Sequence, residues 1–224
     1  MTADTRDDSR NNGELPNRRS IRLRNYDYSQ AGAYFVTICV EGRKPLYGEV
    51  CNGCMVRSPA GDAVASCWYE IPRHYLEVEL DEFVVMPNHM HGIVVIASCR
   101  SERAAGAATM CRGRPTHAPP GSDVMAAPAH NLGTILGSYK SAVTKAVNAL
   151  RCSQRVPVWQ RGYFEHVVRS EEELNRIREY IASNPANWHL DKENLNRTGD
   201  DPFDVWLESL NRAKAPRAED RPRP

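Results

Sequence analysis

The stretch Phe83-Val84-Val85-Met86-Pro87-Asn88-His89-Met90-His91-Gly92-Ile93-Val94-Val95-Ile96 constrains this chain more than any other. Two apolar runs rich in β-branched residues are joined by a Pro-Asn turn, the pattern of a buried β-hairpin. Successive side chains of a strand point to opposite faces, so His89 and His91 share one face and Met90 points to the other. Two imidazoles therefore converge on one spot. Either they offer two nitrogens to one metal ion, with coordination positions left open for a substrate, or they are polar residues on the half-wet face of a sheet. The His-x-His spacing by itself leaves both readings open.

The flanking sequence supplies further elements. Tyr34 to Val40, β-branched and aromatic, predicts a strand that ends at Glu41-Gly42-Arg43. Leu46 to Val56 reads as a weaker strand or hairpin broken by Gly48 and Gly53. From Asp62 onward, Val64, Cys67, Trp68, Ile71 and Tyr75 recur at helical spacing, which predicts a helix that bends or ends near Pro72 and packs its apolar stripe on the sheet. Leu132, Ile135, Leu136, Tyr139, Val143, Ala146, Val147 and Leu150 fall on one face of a second amphipathic helix. Residues 156–168 predict a strand returning to the sheet. A last helix opens at Ser170 as cap, with Glu173 as its capping-box partner, and runs to Asn184 before Pro185 stops it.

Charge narrows the partners little: Lys plus Arg is 29 and Asp plus Glu is 28, so any argument for a polyanion must come from a local cluster. The densest is Arg18, Arg19, Arg22 and Arg24, followed by Tyr26 and Tyr28. Arginines there suit phosphate oxygens and the tyrosines suit stacking on bases, although a solvated strand would look the same. Lys140 and Lys145, off the apolar face of the second helix, point to phosphates or to water. Seven Cys and a polar, charged start predict reduced thiols in a cytoplasmic protein. Cys51-Asn52-Gly53-Cys54 has the spacing of half a zinc site, but no second pair follows at a finger-like distance. No apolar run approaches the ~20 residues of a membrane span. Residues 1–17, about 99–130 and 197–224 lack periodic apolar residues, which predicts two flexible tails and a Pro/Ala/Gly-rich insertion around a single domain at 18–196.

On the helix from Ser170, Leu174, Ile177 and Ile181 form the buried stripe, while Tyr180 and Asn184, four apart, stack on an adjacent face. A phenol and an amide oxygen can thus face one point, or Tyr180 is a core-edge tyrosine and Asn184 a helix cap. Three motifs then carry a resemblance: Met86-Pro87-Asn88-His89-Met90-His91-Gly92, Trp159-Gln160-Arg161-Gly162-Tyr163-Phe164-Glu165-His166 and Glu179-Tyr180-Ile181-Ala182-Ser183-Asn184-Pro185. In this order, and with the entry Arg19-Ser20-Ile21-Arg22-Leu23, the chain from about Arg18 to about Trp188 resembles the REP-associated tyrosine transposases, single-tyrosine relatives of the His-hydrophobic-His (HUH) endonucleases.

The resemblance implies an α+β fold, an antiparallel sheet with helices packed on it as in ferredoxin-like and RNA-recognition-motif domains. It implies that His89 and His91 bind Mg²⁺ or Mn²⁺, that Asn184 helps hold the ion, and that Tyr180 is the nucleophile. The implied substrate is single-stranded DNA that forms hairpins, cut through a 5′-phosphotyrosine, by a monomer or a homodimer that would be nucleoid-associated when bound to DNA. The insertion and the long ends depart from the family pattern and bear on substrate choice. His166 reads as a third site histidine or as a hydrogen-bonded structural one. Two other functions remain open: a domesticated module that binds hairpin DNA without turnover, and a metal-dependent hydrolase that uses water while Tyr180 is structural.

Overall fold

A computed structural model of the protein describes residues 26–97, 130–153 and 156–213. The expectations for 1–17, for Arg18, Arg19, Arg22 and Arg24, and for 99–129 lie outside these residues. Among these residues six strands and five α-helices follow in order: β1 (Gly32–Cys39), β2 (Gly48–Cys51), β3 (Cys54–Arg57), α1 (Pro59–Tyr69), α2 (Ile71–His74), β4 (Val78–Val85), β5 (His89–Ile96), α3 (Leu132–Leu150), β6 (Phe164–Val168), α4 (Glu171–Ser183) and α5 (Pro202–Ala213). The main sheet has the order β4-β5-β1-β6 with every pairing antiparallel, and β2 with β3 forms a separate hairpin. With that hairpin set aside, the elements read β-α-β-β-α-β in ferredoxin-like strand order, so the fold is α+β as expected.

Both faces of the sheet are covered, which explains why β5 is apolar without alternation. On one face Tyr34, Val36, Ile38, Met90 and Val94 meet Val64 and Trp68 of α1 and Ile135, Leu136, Tyr139 and Val143 of α3. On the other, Phe35 and Ile93 meet Ile177, Tyr180 and Ile181 of α4 and Phe203 and Leu207 of α5. Gly92 belongs to the first face for a steric reason: a Cβ there would lie 2.5 Å from the Trp68 indole. The glycine after His91 thus serves packing.

The helix starts follow local chemistry. Ser58 accepts a hydrogen bond from Gly61 N and Pro59 occupies the first turn, so α1 begins ahead of Asp62. It ends at Glu70, and Pro72 sits in the first turn of α2, where its missing N–H leaves no bond unmade. Ser170 caps α4 by accepting from Glu173 N at 3.1 Å, while the Glu173 carboxylate accepts from Arg169 N.

The expectation of a flexible tail from 197 needs correction over 202–213. Asp201 accepts from Phe203 N at 2.8 Å and Pro202 opens the helix, a cap and first-turn pair like that of α1. Phe203 and Leu207, one turn apart, are then buried against α4 and β1. Burial of Phe203 and Leu207, with Trp206 packed beside them and Lys192 paired with Asp204, works against the ordering entropy that the polar flanks suggested would win.

A candidate metal centre and its tyrosine

Antiparallel pairing places His89 and His91 of β5 opposite Cys39 and Thr37 of β1, on the sheet face that α4 and α5 cover. Both imidazoles are buried, and their Nε2 atoms lie 2.9 Å apart. The turn fixes the tautomer of the first. The Asn88 amide nitrogen donates to Glu193 O at 2.7 Å and to Arg43 O at 3.3 Å, so its Oδ1 faces His89 Nδ1 at 2.9 Å and accepts the proton there. His89 Nε2 is left with a lone pair. His91 Nδ1 lies 2.8 Å from the Thr37 hydroxyl. An N–H of His91 can close the gap between the two Nε2 atoms, and a metal ion would be held by both of them.

A carboxylate completes the cluster. Asp191 Oδ2 is 3.6 Å from each Nε2, and the ligand atoms of His89, His91 and Asp191 all lie within 4.8 Å of one another, so these three side chains could hold a metal ion. Its other oxygen accepts from Glu193 N at 2.7 Å. Burial, then the neighbouring His91, push His89 down to about 3, so its imidazole is neutral and free to ligate near pH 7. Burial works against the charge of Asp191, but the two histidines and the Asn184 amide outweigh it and hold the carboxyl well below the usual range. Two imidazoles and one carboxylate fit a divalent first-row ion by ligand type.

Tyr180 reaches the same point from α4. Its hydroxyl lies 3.3 Å from His91 Nε2 and donates to Asp191 Oδ2 at 3.3 Å. Burial first, then the carboxylates of Asp191, Asp204 and Asp201, raise its pKa far above the ordinary phenol value, so the proton stays on. One turn later Asn184, the C-cap of α4, donates from its amide nitrogen to Asp191 Oδ2 at 2.8 Å. Asn184 thereby orients the carboxylate, while its own buried Oδ1 has no partner among the described residues. That orphaned oxygen is the atom the sequence reading offers to a metal, and the carboxylate beside it is the residue that reading lacked. Asp191 sits in a polar turn with no periodicity, and nothing in its neighbours marks it.

The remaining site expectations separate. His166 is buried with Nε2 3.3 Å from Glu173 Oε1, at the start of α4 and outside the His-His-Asp cluster, which favours its structural reading. Lys140 is half-buried and donates to Gln160 O at 2.9 Å and Gly162 O at 2.8 Å, tying α3 to the loop before β6. Lys145 is exposed. Tyr26 and Tyr28 pack on each other, with ring centroids 4.9 Å apart, and against Tyr34 rather than standing open. Helix α5 closes over the phenol: Phe203 stacks on Tyr180 at 3.8 Å between centroids, and Lys192 Nζ pairs with Asp204 at 2.9 Å. Among the described residues, no helix is long and apolar enough to cross a membrane.

No family model matches the chain. Two solved structures are similar in fold: a REP-associated tyrosine transposase bound to a REP hairpin (TM-score 0.43, 19% identity, covering 75% of this chain and 73% of that one) and a proposed transposase of Deinococcus radiodurans R1 (TM-score 0.39, 16% identity, covering 72% and 95%). An uncharacterized protein of Haemophilus influenzae Rd is 37% identical over 182 residues, 81% of this chain and 95% of that protein. At that identity and coverage, the chain belongs to the same protein family as the uncharacterized Haemophilus influenzae protein.

Proposed function

We propose that the protein is a metal-dependent, transposase-like enzyme that nicks and rejoins single-stranded DNA through a covalent bond to Tyr180. The observation that carries this reading is the meeting of a phenol with a His-His-Asp cluster: the Tyr180 hydroxyl stands 3.3 Å from both His91 Nε2 and Asp191 Oδ2. A site that only bound DNA would need neither the cluster nor the hydroxyl. A divalent ion such as Mg²⁺ or Mn²⁺ held there would polarise the scissile phosphate and offset the charge that builds as phosphorus becomes pentacovalent.

The chain's own residues do the rest. Asn88 and Thr37 fix the two imidazoles from behind, and Asn184 with Glu193 N fixes Asp191. The phenolic hydroxyl donates to Asp191 Oδ2, which can accept its proton when the oxygen attacks. The Tyr180 oxygen bonds to phosphorus, the bond to the 3′-oxygen breaks, and the strand leaves as a 3′-hydroxyl. The 5′-phosphotyrosine keeps the ester, so a second 3′-hydroxyl can displace the phenol and join strands without a nucleotide cofactor. Hairpin-forming repeats as substrate follow from the motif resemblance. The non-catalytic binding reading draws on one feature, the cover that Phe203 lays over the phenol.

Incubation with labelled hairpin-bearing single-stranded DNA and Mn²⁺, followed by a denaturing gel, tests the proposal. A covalent protein–DNA adduct supports it. Cleavage without adduct points to water as nucleophile, and binding with neither product points to the binding module. Tyr180→Phe should lose both cleavage and adduct.

A further inference from the structure

We propose that Cys51 and Cys54 form a reversible dithiol–disulfide couple at the tip of the β2–β3 hairpin, a modification site that exchanges with low-molecular-weight disulfides. Neither residue takes part in the reaction proposed above. The two are Cα partners in the antiparallel ladder, they flank the two-residue turn Asn52-Gly53, and both thiols are free and exposed. The turn residues have φ of 50° and 73°, the left-handed pair that matches the strand twist and gives a tight hairpin.

Directly opposed residues of a ladder lie on the same face. Here Val50 and Met55 are half-buried and Met55 packs on the core, so the next pair along, Cys51 with Cys54, faces solvent. The pair closing such a turn has Cα atoms roughly 5.5 Å apart, inside the roughly 4.4–6.8 Å that a disulfide spans. The tip is also held in place. A Cβ built on Gly53 would lie 3.5 Å from Ala186 Cα, so the turn rests on the segment just past Asn184 instead of fraying into water. Closing a loop this short removes little chain entropy, so the bond belongs to the exposed, exchangeable class and not to the structural one.

The chemistry balances with one named oxidant. A thiolate of the pair attacks glutathione disulfide, forming a mixed disulfide and releasing one glutathione thiolate. The second thiolate attacks the protein sulfur of that adduct, closing Cys51–Cys54 and releasing the other. Two protein thiols are oxidised and one glutathione disulfide is reduced to two thiols.

The test is to equilibrate the full-length protein with glutathione disulfide, alkylate the remaining thiols and map the peptides by mass spectrometry. The expected product is a Cys51–Cys54 disulfide that dithiothreitol reverses, with no mixed adduct persisting at either residue. Cys51→Ser should trap glutathione on Cys54, because the resolving thiol is gone, and Cys152→Ser should leave the pair's closure unchanged. Separate glutathione adducts on both residues of the unaltered protein would overturn the couple. So would a bond from either one to a third cysteine, or no reaction at either thiol.

Discussion

His89 shows how a single side chain here is controlled from behind. The Asn88 amide has no freedom to flip, since its nitrogen already donates to two backbone carbonyls, and its oxygen therefore holds the Nδ1 proton of His89. Removing that support should weaken the metal more than the fold. Asn88→Ala is expected to lower Mn²⁺ affinity about 10- to 100-fold, as losing a group that orients a ligand typically does, and calorimetric titration would read it. His89→Ala, His91→Ala and Asp191→Asn remove a ligand outright and should abolish metal-dependent cleavage while circular dichroism stays native. Cleavage at the normal rate by any of the three would sink the metal assignment. Tyr180→Phe keeps the ring that stacks on Phe203 and loses the oxygen proposed to attack, so its DNA affinity at matched salt should equal that of the unaltered protein.

At the scale of elements, α5 is the piece that decides how open the site is. Tyr180 is 6% exposed because the first turn of α5 lies on it, with Phe203 parallel to the phenol ring. In the proposed reaction, a phosphate reaches that oxygen only if this turn moves. Phe203→Ala should therefore have two opposed effects. Stability should fall by about 3 kcal/mol, the usual scale for truncating a buried phenylalanine, measured by urea unfolding. Adduct formation should rise, because the covering ring is gone. A fall in both, in a variant that is still folded, would mean that Phe203 positions Tyr180 for attack. Leu207→Ala, one turn further along and off the phenol, should lower stability without the gain in adduct.

For the molecule as a whole, the buried cluster sets an acid limit. The pKa of His89 is depressed in the fold, from an ordinary value of 6.5 to about 3, so the unfolded chain binds its proton more readily than the native one. Its contribution is present in full above pH 6.5 and is lost as pH falls from there through about 3. Asp191, also depressed, acts in the same direction further down, below the ordinary carboxylate range. Metal-free protein should lose thermal stability from pH 7 to pH 4, with a slope for His89 of at most about 1.4 kcal/mol per pH unit, and His89→Gln should flatten that part of the curve. Added Mn²⁺, binding the native state alone, should raise Tm at pH 7 and do so less at pH 5, where protons compete for the ligands. Much of this architecture was legible beforehand. The hairpin at 83–96 announced itself by two β-branched runs around a turn, and strand alternation by itself put His89 and His91 on one face with Met90 opposite. Helical spacing likewise placed Tyr180 and Asn184 together on α4. Local periodicity can do this because it reports which side of an element a residue occupies, and nothing about what lies across from it. Asp191 and the cover of α5 depend on the second kind of information. A carboxylate in an aperiodic turn becomes a candidate ligand only when Asn184 and Glu193 N draw it against two imidazoles from a distant strand, and Phe203 becomes a cover only when the chain beyond that turn folds back over the sheet.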